Sequence, residues 1–152
     1  MTRGSVSTII LAAGKGTRMK SRLPKVLHPI AGRPMLGHVL AAVERAGDAR
    51  PVLVLAPAMD EVASYARSLL PGVSTVVQPS PRGTGDAVRV AESAAGGGEG
   101  VALVVFGDTP LVRSETLSGM IDACTTDTPV VVLGFEAGNP APYGRLVLDG
   151  KG

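Results

Sequence analysis

The sequence predicts a doubly wound α/β fold with a mainly parallel sheet, and three observations carry that expectation. Apolar, β-rich runs of six or seven residues alternate with segments of helix length. The runs are continuous rather than alternating between apolar and polar positions, as expected of strands when helices cover both faces of a parallel sheet. Turn-forming and charged clusters separate the runs, which gives the β-α-β-α rhythm of a layered α/β domain.

The elements follow in order. VSTIILA (Val6–Ala12) is the first strand, and Pro34–Ala46 reads as a helix with Met35, Val39 and Val43 at i, i+4 spacing. PVLVLA (Pro51–Ala56) is the second strand, followed by a helix over Met59–Leu70. VSTVVQ (Val73–Gln78) is the third, followed by a helix over Thr84–Ala95 with Ala87, Val90 and Ala91 on one face. VALVVF (Val101–Phe106) is the fourth, and the helix after it, Ser114–Ala123, is expected to be capped by Ser114. PVVVLGF (Pro129–Phe135) predicts a fifth strand. Leu146 and Leu148 then alternate as strand residues do before a DG turn, and expect a partner strand that the chain does not supply.

At 152 residues the chain is most simply one domain with a real core, and 45% hydrophobic residues exclude disorder. No apolar run approaches the roughly 20 residues of a membrane helix. The first apolar run leads into a charged glycine loop with no cleavage motif, so it reads as a strand and not as a signal peptide. The single cysteine, Cys124, rules out an internal disulfide and a cysteine metal cluster, and cytoplasm is the default compartment. With no Trp and two each of Tyr and Phe, base-stacking platforms for nucleic acid are not expected. The net charge of +2 hides an asymmetry: residues 1–43 hold seven Lys/Arg and no Asp/Glu, and the remainder holds eight basic against thirteen acidic residues. Charge gathered on one glycine loop suits a small polyanion better than a nucleic acid.

In doubly wound folds ligands bind outside the carboxyl ends of the strands, so the residues just past each strand are the candidates for chemistry. After the first come Gly14-Lys15-Gly16-Thr17-Arg18, with Lys20, Arg22 and Lys25 close behind. Glycines let backbone N–H groups approach anionic oxygens, although the spacing is neither a dinucleotide fingerprint nor a Walker loop, and an ordinary glycine turn gives the same pattern. A pair of charges 4 Å apart is worth about 4 kcal/mol at an effective dielectric near 20, so a few aimed cations could hold a triphosphate. Lys25 follows Leu23-Pro24, whose restricted backbone aims it. After the third strand, Gln78 offers an amide that matches a base edge, beside Gly83-Thr84-Gly85 opening a helix; Thr84 as a plain cap is the alternative. After the fourth, Asp108 in Gly107-Asp108-Thr109-Pro110 is placed to hold Mg²⁺, or else to bond its own turn. The spacing of His28 and His38 favours structural roles, as does the position of Cys124 at a helix end. Phosphate donors, a base reader and a metal carboxylate together point to metal-assisted chemistry on a nucleotide.

LAAGKGTRMKSRLPKVLHPIAGRPML resembles the sugar-phosphate nucleotidyltransferases, whose signature is L-x-x-G-x-G-T-x-M, a spacer and P-K. PKVLH, AGRPML, GTGDAV, GDTPL and YGR, in that order, are similar to the uridyltransferase domain of the bacterial bifunctional N-acetylglucosamine-1-phosphate uridyltransferase/glucosamine-1-phosphate acetyltransferases. The resemblance covers nearly the whole chain. It implies a Rossmann-like nucleotide-diphospho-sugar transferase fold and the reaction of UTP with N-acetylglucosamine 1-phosphate to UDP-N-acetylglucosamine and pyrophosphate. It further implies that Leu11, Ala12, Ala13 and Gly14 lie against the nucleotide, with Gln78, Gly83 and Thr84 reading uracil. Arg18 and Lys25 would neutralise the phosphates as the catalytic cations, Asp108 would hold Mg²⁺, and Gly144 would approach the sugar.

Three departures qualify the match. Asp86 stands where a His is usual and is expected to weaken anion binding nearby, and Phe106 replaces a common Tyr. The family's domain continues past YGR, so residues 1–152 are expected to be the N-terminal portion of a C-terminally truncated nucleotidyltransferase domain, without the β-helical acetyltransferase domain. Full-length members are expected to be homo-oligomers, and no membrane or nucleic-acid partner is implied. A guanylyl- or cytidylyltransferase, and a nucleotide-binding fragment with little turnover, are the rival readings.

Overall fold

The computed structural model describes residues 5–14, 16, 19–97, 100–139 and 143–147. Four strands, β1 (Val6–Leu11), β4 (Val52–Leu55), β5 (Ser74–Val77) and β6 (Val101–Phe106), form one parallel sheet in the order β5-β4-β1-β6. Register runs from Val6↔Val101 to Leu11↔Phe106 between β1 and β6, and from Ile9↔Val52 to Leu11↔Val54 between β1 and β4. The chain steps outward from β1 through β4 to β5, then crosses back to place β6 on the other side of β1. That reversal of strand order opens a crevice at the carboxyl ends of β1 and β6.

Alternation within the strands decides which helix goes where. Ile10, Leu53, Leu55, Leu103 and Val105 face one layer, where Leu36, Leu40 and Val43 of α1 (Met35–Ala46), Val62 of α2 (Asp60–Leu69) and Leu117 and Ile121 of α4 (Ser114–Ala123) close over them. Ile9, Leu11, Val52 and Val54 face the other layer and meet Ala87 and Ala91 of α3 (Thr84–Ala91). Burying one such aliphatic side chain contributes about 1.5–3 kcal/mol, so the larger layer carries most of the stability. No helix among the described residues is long and apolar enough to cross a membrane.

The first four strands and four helices of the sequence reading are all present: β6 and α4 keep the expected bounds, and the others lose one residue at one or both ends, except at α3. That helix stops at Ala91 instead of Ala95, where the backbone breaks into turns leading to Gly96 and Gly97. Ser114 does not cap α4: the helix starts from extended Arg113 with no side-chain cap, and Ser114 is its first turn. A short hairpin, β2 (Pro29–Ile30) with β3 (Arg33–Pro34), was not expected; its two-residue strands leave no periodicity to read.

The expected fifth strand is absent. Pro129–Phe135 has no regular secondary structure, and Val130, Val132, Leu133 and Phe135 are exposed. A strand exists only by pairing, and among the described residues none lies alongside this run as a ladder partner. It is met only loosely by residues 143–147, where the rings of Phe135 and Tyr143 stand edge to face with centroids 5.0 Å apart. Residues 144–147 likewise form no strand, while Leu148 and the DG turn lie outside the described residues.

Candidate active site

The three strand ends singled out by the sequence converge on one cleft. A cavity of about 250 Å³, open to solvent, is lined by Leu11, Ala12, Ala13 and Gly14 after β1, by Gln78, Gly83 and Thr84 between β5 and α3, and by Asp108 after β6. Lys25 lines it too. Hydrogen bonds from Ala12 N to the Val54 carbonyl and from Gly107 N to the Leu11 carbonyl (both 2.9 Å) extend the sheet pairing past the strand ends, which fixes the walls of the cleft.

Lys25 is placed by packing on both sides of it. It opens a 3₁₀ turn, Lys25–Leu27, pinned by buried Val26 and Leu27, with Pro24 before it in extended conformation. Gly16 lies against its stem: a Cβ at Gly16 would fall 2.7 Å from Lys25 Cβ, and Gly16 has φ +58°, a conformation that side-chain-bearing residues seldom adopt. The second glycine of the loop therefore clears the space that the lysine occupies. Lys25 Nζ pairs with Asp108 Oδ2, joining residues 83 apart in the chain. Both side chains remain partly exposed, at 37% and 29%, so a ligand in the cleft can reach either.

Asp108 is the carboxylate that lines the cleft, and no cluster of three or more potential metal-ligating side chains occurs among the described residues. A hard divalent cation that takes one or two carboxylates and completes its shell with phosphate oxygens and water fits this donor set. The histidines serve structure, as expected. His28 Nε2 lies 3.3 Å from the Leu23 carbonyl and His38 Nε2 lies 2.9 Å from the Ile30 carbonyl. Cys124 Sγ contacts the Pro129 carbonyl at 3.6 Å.

Gln78 is buried, at 6% exposure, and its backbone N–H donates to the Leu55 carbonyl (2.8 Å). Its side-chain amide donates to the Gly83 carbonyl (3.2 Å) and to Asp86 Oδ2 (2.9 Å). Asp86 Oδ1 in turn accepts from Arg89 (2.8 Å). The Arg89 hydrogen bond first, and the Gln78 bond second, hold the Asp86 carboxyl below the usual carboxylate range, while Asp86 raises the Arg89 guanidinium. The expected weakening of anion binding by Asp86 meets a different arrangement: its charge is already engaged by Arg89 and Gln78. Gly83, with φ +98°, starts α3, no side chain caps the helix, and Thr84 is its first residue rather than its cap. The N–H groups of that first turn have no intrahelical acceptor and are available beside the cleft.

One of the expected site residues is not brought to the cleft. Gly144 sits on the exposed segment 143–147 and does not line it. Arg18 lies outside the described residues, as does Lys15. Four lining residues went unassigned: Val26, Pro81, Ala87 and Phe106. An apolar wall of this kind gives no separate sequence signal.

Residues 8–149 match the family described as MobA-like NTP transferase domain. The chain belongs to that family. Among curated relatives of this NTP transferase domain, a bifunctional GlmU protein of Parvibaculum lavamentivorans is 63% identical over 151 residues, which are 99% of this chain and 33% of the relative. The chain thus spans about a third of the length of the GlmU proteins it matches. Rv0371c from Mycobacterium tuberculosis H37Rv, solved in complex with manganese, superposes with a TM-score of 0.60 at 29% identity, covering 78% of this chain and 58% of its own. A UDP-glucose pyrophosphorylase solved with UDP-glucose shares the fold, with a TM-score of 0.67 at 20% identity over 82% of this chain and 53% of its own.

Proposed function

We propose that this chain supplies the uridylyl-transfer site of a UDP-N-acetylglucosamine pyrophosphorylase, joining UTP and N-acetylglucosamine 1-phosphate with release of pyrophosphate. The observation that carries the reading is the convergence of Gln78, the α3 N-terminus, the Leu11–Gly14 backbone, Lys25 and Asp108 on one cleft from separate strand ends. The identity to bifunctional GlmU proteins adds to it. Gln78 with Gly83 and Thr84 receives the uracil, and the backbone of Leu11 to Gly14 lies along the nucleotide. Lys25 turns from Asp108 to the phosphates, joined by Arg18, and Asp108 holds the divalent cation, which we take to be Mg²⁺. Bound there, the cation neutralises phosphate charge. The residues orient the sugar phosphate oxygen for in-line displacement at the α-phosphorus, so catalysis rests on position and charge and needs no covalent nucleophile. The cytoplasm is the matching compartment, and a homo-oligomer the matching assembly of longer relatives.

A second reading has its own observation. Gly144 stands away from the cleft, and none of the described residues beyond Asp108 lines it. On that basis the 152-residue polypeptide binds UTP with a divalent cation and turns over slowly. Pyrophosphate release from UTP and N-acetylglucosamine 1-phosphate, measured beside UTP binding by calorimetry, separates the two: rapid release supports the enzyme, and binding without release supports the nucleotide-binding role. In either case Asp108→Asn removes the cation dependence of UTP binding; unchanged cation dependence would show the assignment of Asp108 to be wrong.

A further inference from the structure

A side-chain amide can offer a base either a donor or an acceptor, depending on which way it is turned. The neighbours of Gln78 settle which. The two groups within reach of its nitrogen, the Gly83 carbonyl at 3.2 Å and Asp86 Oδ2 at 2.9 Å, are acceptors with no proton to give. The NH₂ must therefore face the loop and helix, with both of its hydrogens engaged. The amide carbonyl oxygen accepts no hydrogen bond among the described residues, and Gln78 lines the cleft.

The group that holds the amide is itself held. Asp86 lies in the first turn of α3, where the helix dipole favours negative charge, and its second oxygen accepts from Arg89 at 2.8 Å. Arg89 and, more weakly, Arg82 are the cations acting on it, so the carboxylate stays ionised through neutral pH. Beside the amide oxygen, the uncapped N–H groups of the first turn of α3 complete a donor–acceptor pair.

We propose that Asp86 is a positioning residue that locks the Gln78 amide oxygen toward the cleft, and so makes the site select a base with a ring N–H beside a carbonyl, as in uracil, over one with a bare ring nitrogen in that place, as in cytosine. The inference rests on the uridylyl-transfer reading of the cleft. With ribose and phosphates fixing the ring, cytosine would set its ring nitrogen against the amide oxygen, lone pair to lone pair. A site with a committed polar group rejects the wrong partner because that group is left unpaired. Without Asp86 only the Gly83 carbonyl restrains the amide, which can then turn over and offer its NH₂ to either base.

Two measurements test the lock. The first is calorimetric binding of UTP, CTP and inorganic tripolyphosphate to the wild-type chain, Asp86→Ala and Asp86→Asn. Asp86→Ala should weaken UTP and strengthen CTP, so that the UTP:CTP preference falls about tenfold, the scale of one hydrogen bond, while tripolyphosphate binding stays unchanged. Asp86→Asn keeps an acceptor for the amide and should retain most of the preference. Equal weakening of UTP and CTP, or an unchanged ratio, would overturn the proposal. The second needs no nucleotide. Gln78 is the single glutamine and Asn139 the single asparagine of the chain, so a ¹⁵N–¹H spectrum holds just two side-chain NH₂ pairs. The Gln78 pair should be shifted from free-amide values in the wild-type chain and move toward them in Asp86→Ala. A pair that ignores the substitution overturns the lock, whatever binds. A pair that responds, in a chain that binds neither UTP nor CTP, supports the lock and overturns the nucleotide reading instead.

Discussion

VALVVF and PVVVLGF are nearly the same kind of sequence, and the protein treats them in opposite ways. Val101–Phe106 lies in register with β1 along its whole length, with Leu103 and Val105 sealed under α4. Pro129–Phe135 has the same β-branched content and no strand, and Val130 is 74% exposed. Intrinsic preference is therefore the smaller part of what makes a strand. The larger part is a neighbour able to take up backbone hydrogen bonds and a layer to cover the side chains. β6 has β1 beside it; the described residues around 129–135 offer neither.

The comparison can be pressed by substitution, beginning where the effect should be greatest. Leu53→Ala, in the fully buried layer under α1 and α2, should cost about 2–5 kcal/mol in urea unfolding. A cost near zero would mean that the covered layer is not what holds the sheet. Gly16→Ala should come next. It forces a side chain into a left-handed backbone at about 1–2 kcal/mol and pushes on Lys25, so triphosphate affinity should fall along with the melting temperature. Full affinity would show that Gly16 does not shape the position of the lysine.

A smaller effect is expected from Asp86 in acid. Its carboxyl is depressed in the folded chain, so its contribution is complete well above the unfolded-state value of about 4 and disappears as pH falls through the lower, folded value. The stability difference between wild type and Asp86→Asn should hold level from pH 8 to 5 and close toward pH 3; a difference that changes near pH 7 would point to another group. Least of all, Val132→Ala in the exposed run should alter stability by no more than about 0.5 kcal/mol. A loss comparable with that of Leu53→Ala would mean that this run is packed in solution.

Much of the site was legible because parallel topology writes chemistry at predictable places. Gln78 and Asp108 could be named from their positions just past apolar runs, and the lining backbone of Leu11 to Gly14 from the family resemblance of the loop that follows. Beyond the apolar wall of Val26, Pro81, Ala87 and Phe106, what escaped were relations rather than residues. Lys25 meets Asp108 across 83 positions, and Asp86 reaches back eight to Gln78 around a loop whose course no local pattern records. Gly83 and Arg113, rather than Thr84 and Ser114, stand at the helix caps, because a cap depends on where the backbone turns and not only on a hydroxyl being near. The fifth strand failed for the reason already given: periodicity reports what a segment could bury, not what is there to bury it.

With every strand of the main sheet pointing the same way, all the strand ends gather on one rim of the molecule and all the strand starts on the other. The connections that enter strands, among them the glycine-rich turn around Gly96 and Gly97 ahead of β6, run along the second rim, away from Gln78, Lys25 and Asp108. Parallel strands keep length changes there from altering the register of the opposite edge. A fluorophore or affinity handle grafted at Gly97 would thus ride on the protein as cargo, reporting on the cleft without touching it.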